Sequence, residues 1–326
     1  MYGFIFMRIL FLNFILIIFN SQAFAAFYNS DQLPNKPQKL ENALAATFRL
    51  NVDDSENHCT AFSISNDGYV LTDLHCLKTC FQNSVDFYSD DYYKKSEIPG
   101  TFSLWEVKSN YPKNQICHNY TSFDNNKYFT EPTIVTLGKG KGAFEEKELR
   151  NIPKAIFNKI IKLSEDYAIL KYDQVIDQPC IKISQTEKVT DENLWMIGYP
   201  RKSNRQDGFD SDGVHQYISE GLHRKSVQED PYLKTIFTKA KEWNLESSMY
   251  DQKRFLLSNL DTLGGNSGGP IINAKGELVA LLFANIMANT EKYEKSTAIG
   301  LKSDEIYKSV LKKLGHKKTI EIFNCK

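Results

Sequence analysis

From Ala45 onward the apolar positions fall in short runs broken by turn residues, the pattern of strands and tight turns. AATFRLNV and CTAFSI are followed by Asn66-Asp67-Gly68 and then YVLT. An Asn-Asp-Gly triplet between two alternating segments predicts a hairpin, because glycine takes the positive φ that a tight β-turn requires. Further strands are predicted at 102–107, 133–137, 167–172 (YAILKY), 181–184 (IKIS), 194–200 (LWMIGYP), 255–260 (FLLSNL), 270–273 (PIIN) and 277–286 (ELVALLFANI). Two helices are predicted. Leu233, Ile236, Phe237, Ala240 and Trp243 predict an inserted amphipathic helix over 231–247, and a closing helix is expected over 303–314, with Ser303 as N-cap and Gly315 as its stop. Residues 26–43, with Pro34 and Pro37, read as an extended lead-in. The stretch 81–159 is richer in Tyr, Asp, Lys and Asn than strands are, so it is expected to contain long surface loops. Helical patterns this few and late predict an all-β class and disfavour a parallel α/β sheet.

Composition narrows the setting. The 326 residues suit two domains, and 21 Phe with 17 Tyr suit pleated surfaces. Forty basic residues balance forty acidic ones, so there is no global field for nucleic acid or an anionic membrane, and no basic patch with interleaved aromatics appears. Residues 1–25 carry Arg8, an apolar run over 9–19 and Ala23-Phe24-Ala25, which reads as a signal peptide cut after Ala25; an uncleaved anchor is the other reading. The rest holds no second such run, so no membrane association is expected after cleavage. Cys59, Cys76, Cys80, Cys117, Cys180 and Cys325 all follow that segment, where disulfides persist, and their pairing is open on sequence alone. The acidic run at 207–212 fails the EF-hand pattern and is expected to be a solvated turn.

The chemistry-bearing string is Leu263-Gly-Gly-Asn-Ser267-Gly-Gly-Pro270, a serine among four glycines directly before a strand. Glycine there lets the backbone turn tightly and aim N–H groups at a carbonyl oxygen. Thr72-Asp73-Leu74-His75-Cys76 follows YVL, and Asp166 stands in SEDYAIL at the head of a predicted strand. A glycine-rich turn or a surface aspartate alone would mean little. Their order, His then Asp then Ser, is that of the chymotrypsin-like serine peptidases, and the three segments resemble the T-x-x-H-C, D-x-A-I-L and G-N-S-G-G-P motifs of that family.

The resemblance spans about 44–302 and implies two six-stranded antiparallel β-barrels, 44–174 supplying His75 and Asp166 and 175–302 supplying Ser267, with 303–326 as a C-terminal helix and tail. It implies Ser267 as nucleophile, His75 as general base, Asp166 as its partner, and the amides of Gly265 and Ser267 as the oxyanion hole. It implies a Cys59–Cys76 disulfide stapling the histidine loop. Asp261, Thr262, Phe283 and Ala284 fall where the family builds its substrate pocket. Asp261 stands where trypsin selects Arg or Lys, and relatives of other preference carry D-T-x-G-G too, so specificity stays open. Asn266 replaces the aspartate that pairs with a newly freed N-terminus in animal digestive members, so no such activation switch is expected. No metal or organic cofactor is implied, and the partners expected are protein or peptide substrates of an exported endopeptidase. The other histidines, His58, His118, His215, His223 and His316, are expected at the surface. The rival reading is a catalytically silent binding protein on the same scaffold, against which three intact triad positions speak.

Overall fold

The computed structural model describes residues 26–29, 38–52, 58–77, 93–98, 102–107, 120–124, 127–128, 133–138, 165–172, 179–184, 193–201, 203–204, 210–211, 214–223, 254–287 and 296–326. The signal segment, the helix expected at 231–247, most of the acidic run, Cys80, Cys117 and His118 lie outside them. In chain order the elements are β1 (Ala26–Asn29), α1 (Gln38–Ala46), β2 (Thr47–Val52), β3 (His58–Ser63), β4 (Tyr69–Thr72), a 3-10 turn (Leu74–Leu77), β5 (Tyr93–Ile98), β6 (Phe102–Val107), β7 (Tyr120–Asp124), β8 (Lys127–Tyr128), β9 (Thr133–Leu137) and β10 (Ala168–Lys171). There follow β11 (Asn193–Gly198), β12 (Ser203–Asn204), β13 (Asp210–Ser211), β14 (Tyr217–Leu222), β15 (Phe255–Ser258), β16 (Pro270–Ile272), β17 (Leu278–Met287), β18 (Ser296–Lys302) and α2 (Ser303–Ile322). Among the described residues no helix is long and apolar enough to cross a membrane.

Two antiparallel sheets carry the molecule, ordered β8-β7-β2-β3-β4-β10-β9 and β1-β14-β11-β16-β17-β18-β15. Each therefore has seven strands where six were expected. In the second, an isolated bridge between His223 and Ser258, with the Asn259 amide donated to the Leu222 carbonyl at 3.2 Å, brings the end of β14 back beside β15. In the first, no pairing among the described residues joins β9 to β7 or β8.

The continuous apolar runs arise because strands bury both faces. In β10, Ala168 and Leu170 point into a cluster inside the first sheet with Phe48, Leu50, Val70 and Tyr172. Ile169 points the other way, into a central cluster with Phe62, Leu71, Trp195, Ile197 and Phe255 that joins the two sheets. In β11, Leu194 and Met196 face the interior of the second sheet with Leu256, Ile271 and Leu282, whereas Trp195 and Ile197 face the centre. Burying one such Leu or Ile side chain stabilises the fold by roughly 1.5–3 kcal/mol, so each strand contributes twice.

Four local expectations change. The lead-in is not extended throughout: Gln38–Ala46 is helical, because Leu40, Ala43 and Leu44, at helical spacing, reach the central cluster. The segment 181–184 forms no strand and makes one bridge, Ile183 with Leu278. The N-cap position of helix α2 falls on Lys302, which makes no side-chain capping bond, and the Ser303 hydroxyl donates to the Ser184 carbonyl at 2.9 Å. Gly315 breaks the helix, at φ 78° and ψ 169°, but helix resumes to Ile322, whose buried side chain joins the central cluster. Beyond it Cys325 is bonded to Cys180.

Candidate active site

The ladder between β4 and β10 pairs Thr72 with Ala168. That register carries Asp166, two residues before Ala168, alongside the turn that follows β4. The turn is held from below by Leu74 and Leu77, both fully buried in the first sheet's interior, and from the side by the Cys59–Cys76 disulfide. His75 sits between these anchors with 22% of its side chain exposed, while Asp166 is fully buried. The His75 Nδ1–H donates to Asp166 Oδ2 at 2.8 Å, and the His75 amide donates to Asp166 Oδ1 at 3.0 Å. Two donors on one buried carboxylate favour its ionised form and fix the imidazole plane. With Nδ1 carrying its proton toward Asp166, Nε2 is left as the basic atom.

Ser267 is half-buried at the turn that leads into β16. Its loop is sewn to both sheets. The Ser267 carbonyl accepts from the Thr60 amide on β3 at 2.8 Å, and Cys76 Sγ lies 3.8 Å from the same carbonyl. Gly268 donates to the Leu282 carbonyl, and Leu282 donates to the Gly269 carbonyl, each at 2.9 Å. Gly265 and Gly268 have φ of +96° and +82°. A Cβ on Gly265 would lie 2.5 Å from the Tyr199 carbonyl, and one on Gly268 would lie 2.2 Å from the Thr60 carbonyl, so neither position admits a side chain. The amides of Asn266, Gly268 and Gly269 are engaged within the protein. Among the described residues, those of Gly265 and Ser267 donate to no protein acceptor.

Of the positions named for the substrate pocket, Asp261 and Thr262 follow β15 on the way to the serine loop, and Phe283 and Ala284 lie on β17 of the second sheet. Asp261, half-buried, donates its amide to Ser219 Oγ at 2.8 Å, and Thr262 is buried. Phe283 stands at a register shift of β17 and packs against Phe255 at 5.6 Å between ring centroids, while Ala284 pairs with Ile299.

Several contributors were not foreseen. Thr60, fully buried, donates its hydroxyl to the Gly265 carbonyl at 2.9 Å and accepts from the Tyr199 amide at 3.0 Å, so one side chain joins β3, the residue that follows β11 and the serine loop. His58 is 3% exposed, contrary to expectation; its Nε2–H donates to the Tyr199 carbonyl at 2.8 Å beside Gly265, which compensates its burial. His215 and His316 are exposed and His223 is half-buried. Asp73, fully buried, brings Oδ2 to 3.6 Å from His75 Nδ1. Asn266 is fully buried, and its amide group makes no hydrogen bond among the described residues, so a charged aspartate in its place would have no partner.

The sequence profile of the trypsin-like peptidase domain matches residues 59–281, more than half of the chain. No curated protein matches the chain by sequence. Among solved structures, the Rv3671c protease of M. tuberculosis in its inactive form is similar at 17% identity, over 86% of this chain and 94% of that one, with a TM-score of 0.46. A serine endoprotease from Yersinia pestis is similar at 14% identity, over 87% of this chain and 68% of that one, with a TM-score of 0.43.

Proposed function

The chain belongs to the trypsin-like peptidase domain family, and from that premise we propose that it is an exported serine endopeptidase working through Ser267, His75 and Asp166. The observation that carries the reading is the 2.8 Å bond from His75 Nδ1 to the buried Asp166, which leaves Nε2 as the base on a turn held against the Ser267 loop. Ser267 Oγ attacks the peptide carbonyl as its proton passes to His75 Nε2, and the imidazolium later returns that proton to the leaving amine. The uncommitted amides of Gly265 and Ser267 receive the oxyanion; losing one such donor costs about 3 kcal/mol of transition-state stabilisation. Asp261, Thr262, Phe283 and Ala284 are the proposed pocket, and the partners are protein or peptide substrates. Export with cleavage after Ala25 agrees with the disulfides among the described residues, Cys59–Cys76 and Cys180–Cys325, which persist in an oxidising compartment.

The test is fluorophosphonate labelling of the exported form with its disulfides intact, beside Ser267→Ala and His75→Ala. The parent is expected to label and to cleave an unfolded protein substrate. Both variants should lose labelling and about 10⁴-fold or more in kcat. A folded parent that neither labels nor cleaves hands the lead to the binding-protein reading.

A further inference from the structure

His75 has two buried carboxylates beside it. Asp166 approaches Nδ1 from the lead-in to β10 at 2.8 Å, and Asp73 approaches the same nitrogen from the end of β4 at 3.6 Å. Both aspartates are fully buried, and the three facing atoms lie within 4.8 Å of one another. Both are charged groups that face the imidazole; the neighbouring Cys59–Cys76 disulfide does not titrate, and the Ser267 loop presents its neutral carbonyl to the turn. Asp73 is locked in place by the backbone, its carbonyl accepting from the Cys76 amide at 3.2 Å and its amide lying against the Gly268 turn.

We propose that Asp73 is a second carboxylate partner of His75, a positioning residue that holds the imidazole and supports its charged form. The inference rests on the proposed peptidase reading and deepens it. Two buried anions this close repel each other while His75 is neutral. When the Ser267 proton passes to Nε2, the imidazolium that forms beside both carboxylates attracts each of them and offsets their mutual repulsion. The stabilisation therefore grows as the charge of the transition state develops, which is where it accelerates the chemical step. No atom of Asp73 is transferred, and its carboxylate is unchanged at the end of the cycle.

The first experiment is independent of turnover: the His75 imidazole is titrated by ¹H–¹⁵N NMR in Ser267→Ala, with and without Asp73→Asn. Removing an anion that favours imidazolium is expected to lower the His75 midpoint by about one pH unit or more. In active protein, Asp73→Asn should move the acid limb of kcat/KM downward by the same amount and reduce kcat about tenfold, with KM little changed. Circular dichroism checks the fold, and Asp73→Ser replaces the amide variant should Asn not be accommodated. Equal His75 midpoints in the presence and absence of the Asp73 carboxylate, with Asp166→Asn lowering the midpoint, would overturn the proposal. If the parent cleaves nothing while the midpoint still responds to Asp73, the peptidase reading falls and the carboxylate partnership stands.

Discussion

At the scale of single residues, Thr60 does more for the site than its place in a strand suggests. Its hydroxyl both donates to Gly265 and accepts from Tyr199, and its amide holds the Ser267 carbonyl. Thr60→Val keeps the shape and removes the hydroxyl, stranding a buried carbonyl and a buried amide. It is expected to destabilise the protein by about 1–3 kcal/mol in urea unfolding and to lower kcat as the serine loop loses its brace. His75, Asp166 and Ser267 could be proposed from sequence because each stands in a distinctive local string. Thr60 and Asp73 could not, because what matters about them is whom they meet. The Gly265 partner of Thr60 is 205 residues away, and Asp73 reaches His75 only through the shape of one turn. His58 was misjudged for the same reason, since nothing in the sequence marks the carbonyl that accepts its proton.

At the scale of elements, the strands were readable because burial of both faces leaves unbroken apolar runs, as in 167–172 and 255–260. Helix α1 departs from the extended lead-in that Pro34 and Pro37 predict, because Leu40, Ala43 and Leu44 lie at helical spacing and reach the central core. Helix α2 braces the lead-in to β10 on both sides of Asp166. Ser309 reaches Glu165 at 3.3 Å and the Tyr167 hydroxyl at 2.9 Å, and Lys313 donates to the Leu137 carbonyl at 2.7 Å. Its far end grips β4 through Tyr69, Lys318 and Glu321: Lys318 donates to the Tyr69 hydroxyl at 2.6 Å and to Glu321 at 2.7 Å, and the Tyr69 hydroxyl donates to Glu321. The hydrogen bond from Lys318, then that from Tyr69, holds the Glu321 carboxyl below its usual range. A lowered carboxyl contributes stability above its unfolded value, which is about 4, and loses it as the pH falls through its folded value. Glu321→Gln is therefore expected to lower the melting temperature by a degree or two at pH 7, as suits a solvent-facing cluster worth about 0.2–1 kcal/mol, and the gap should close toward pH 3.

At the scale of the whole molecule, two sheets share one central core and a serine loop sewn to both, and the Cys180–Cys325 disulfide ties the segment after α2 to the chain ahead of β11. That the chain is mostly β was legible in its short apolar runs; the seventh strand of each sheet was not. β1 comes from a lead-in with no strand periodicity, and β8 is two residues long. Cys325→Ser opens a covalent loop spanning 145 residues of sequence and is expected to cost about 2–5 kcal/mol, read as a lower urea midpoint under non-reducing conditions. That loop has a further effect on the fate of damaged copies. Every strand from β11 to β18, together with Ser267, lies between the two cysteines, so one backbone cut anywhere in that span yields two polypeptides that remain one molecule. A nicked protein keeps its size, its company of segments and its serine until a reductant reaches the bond, and only then does the cut become a separation.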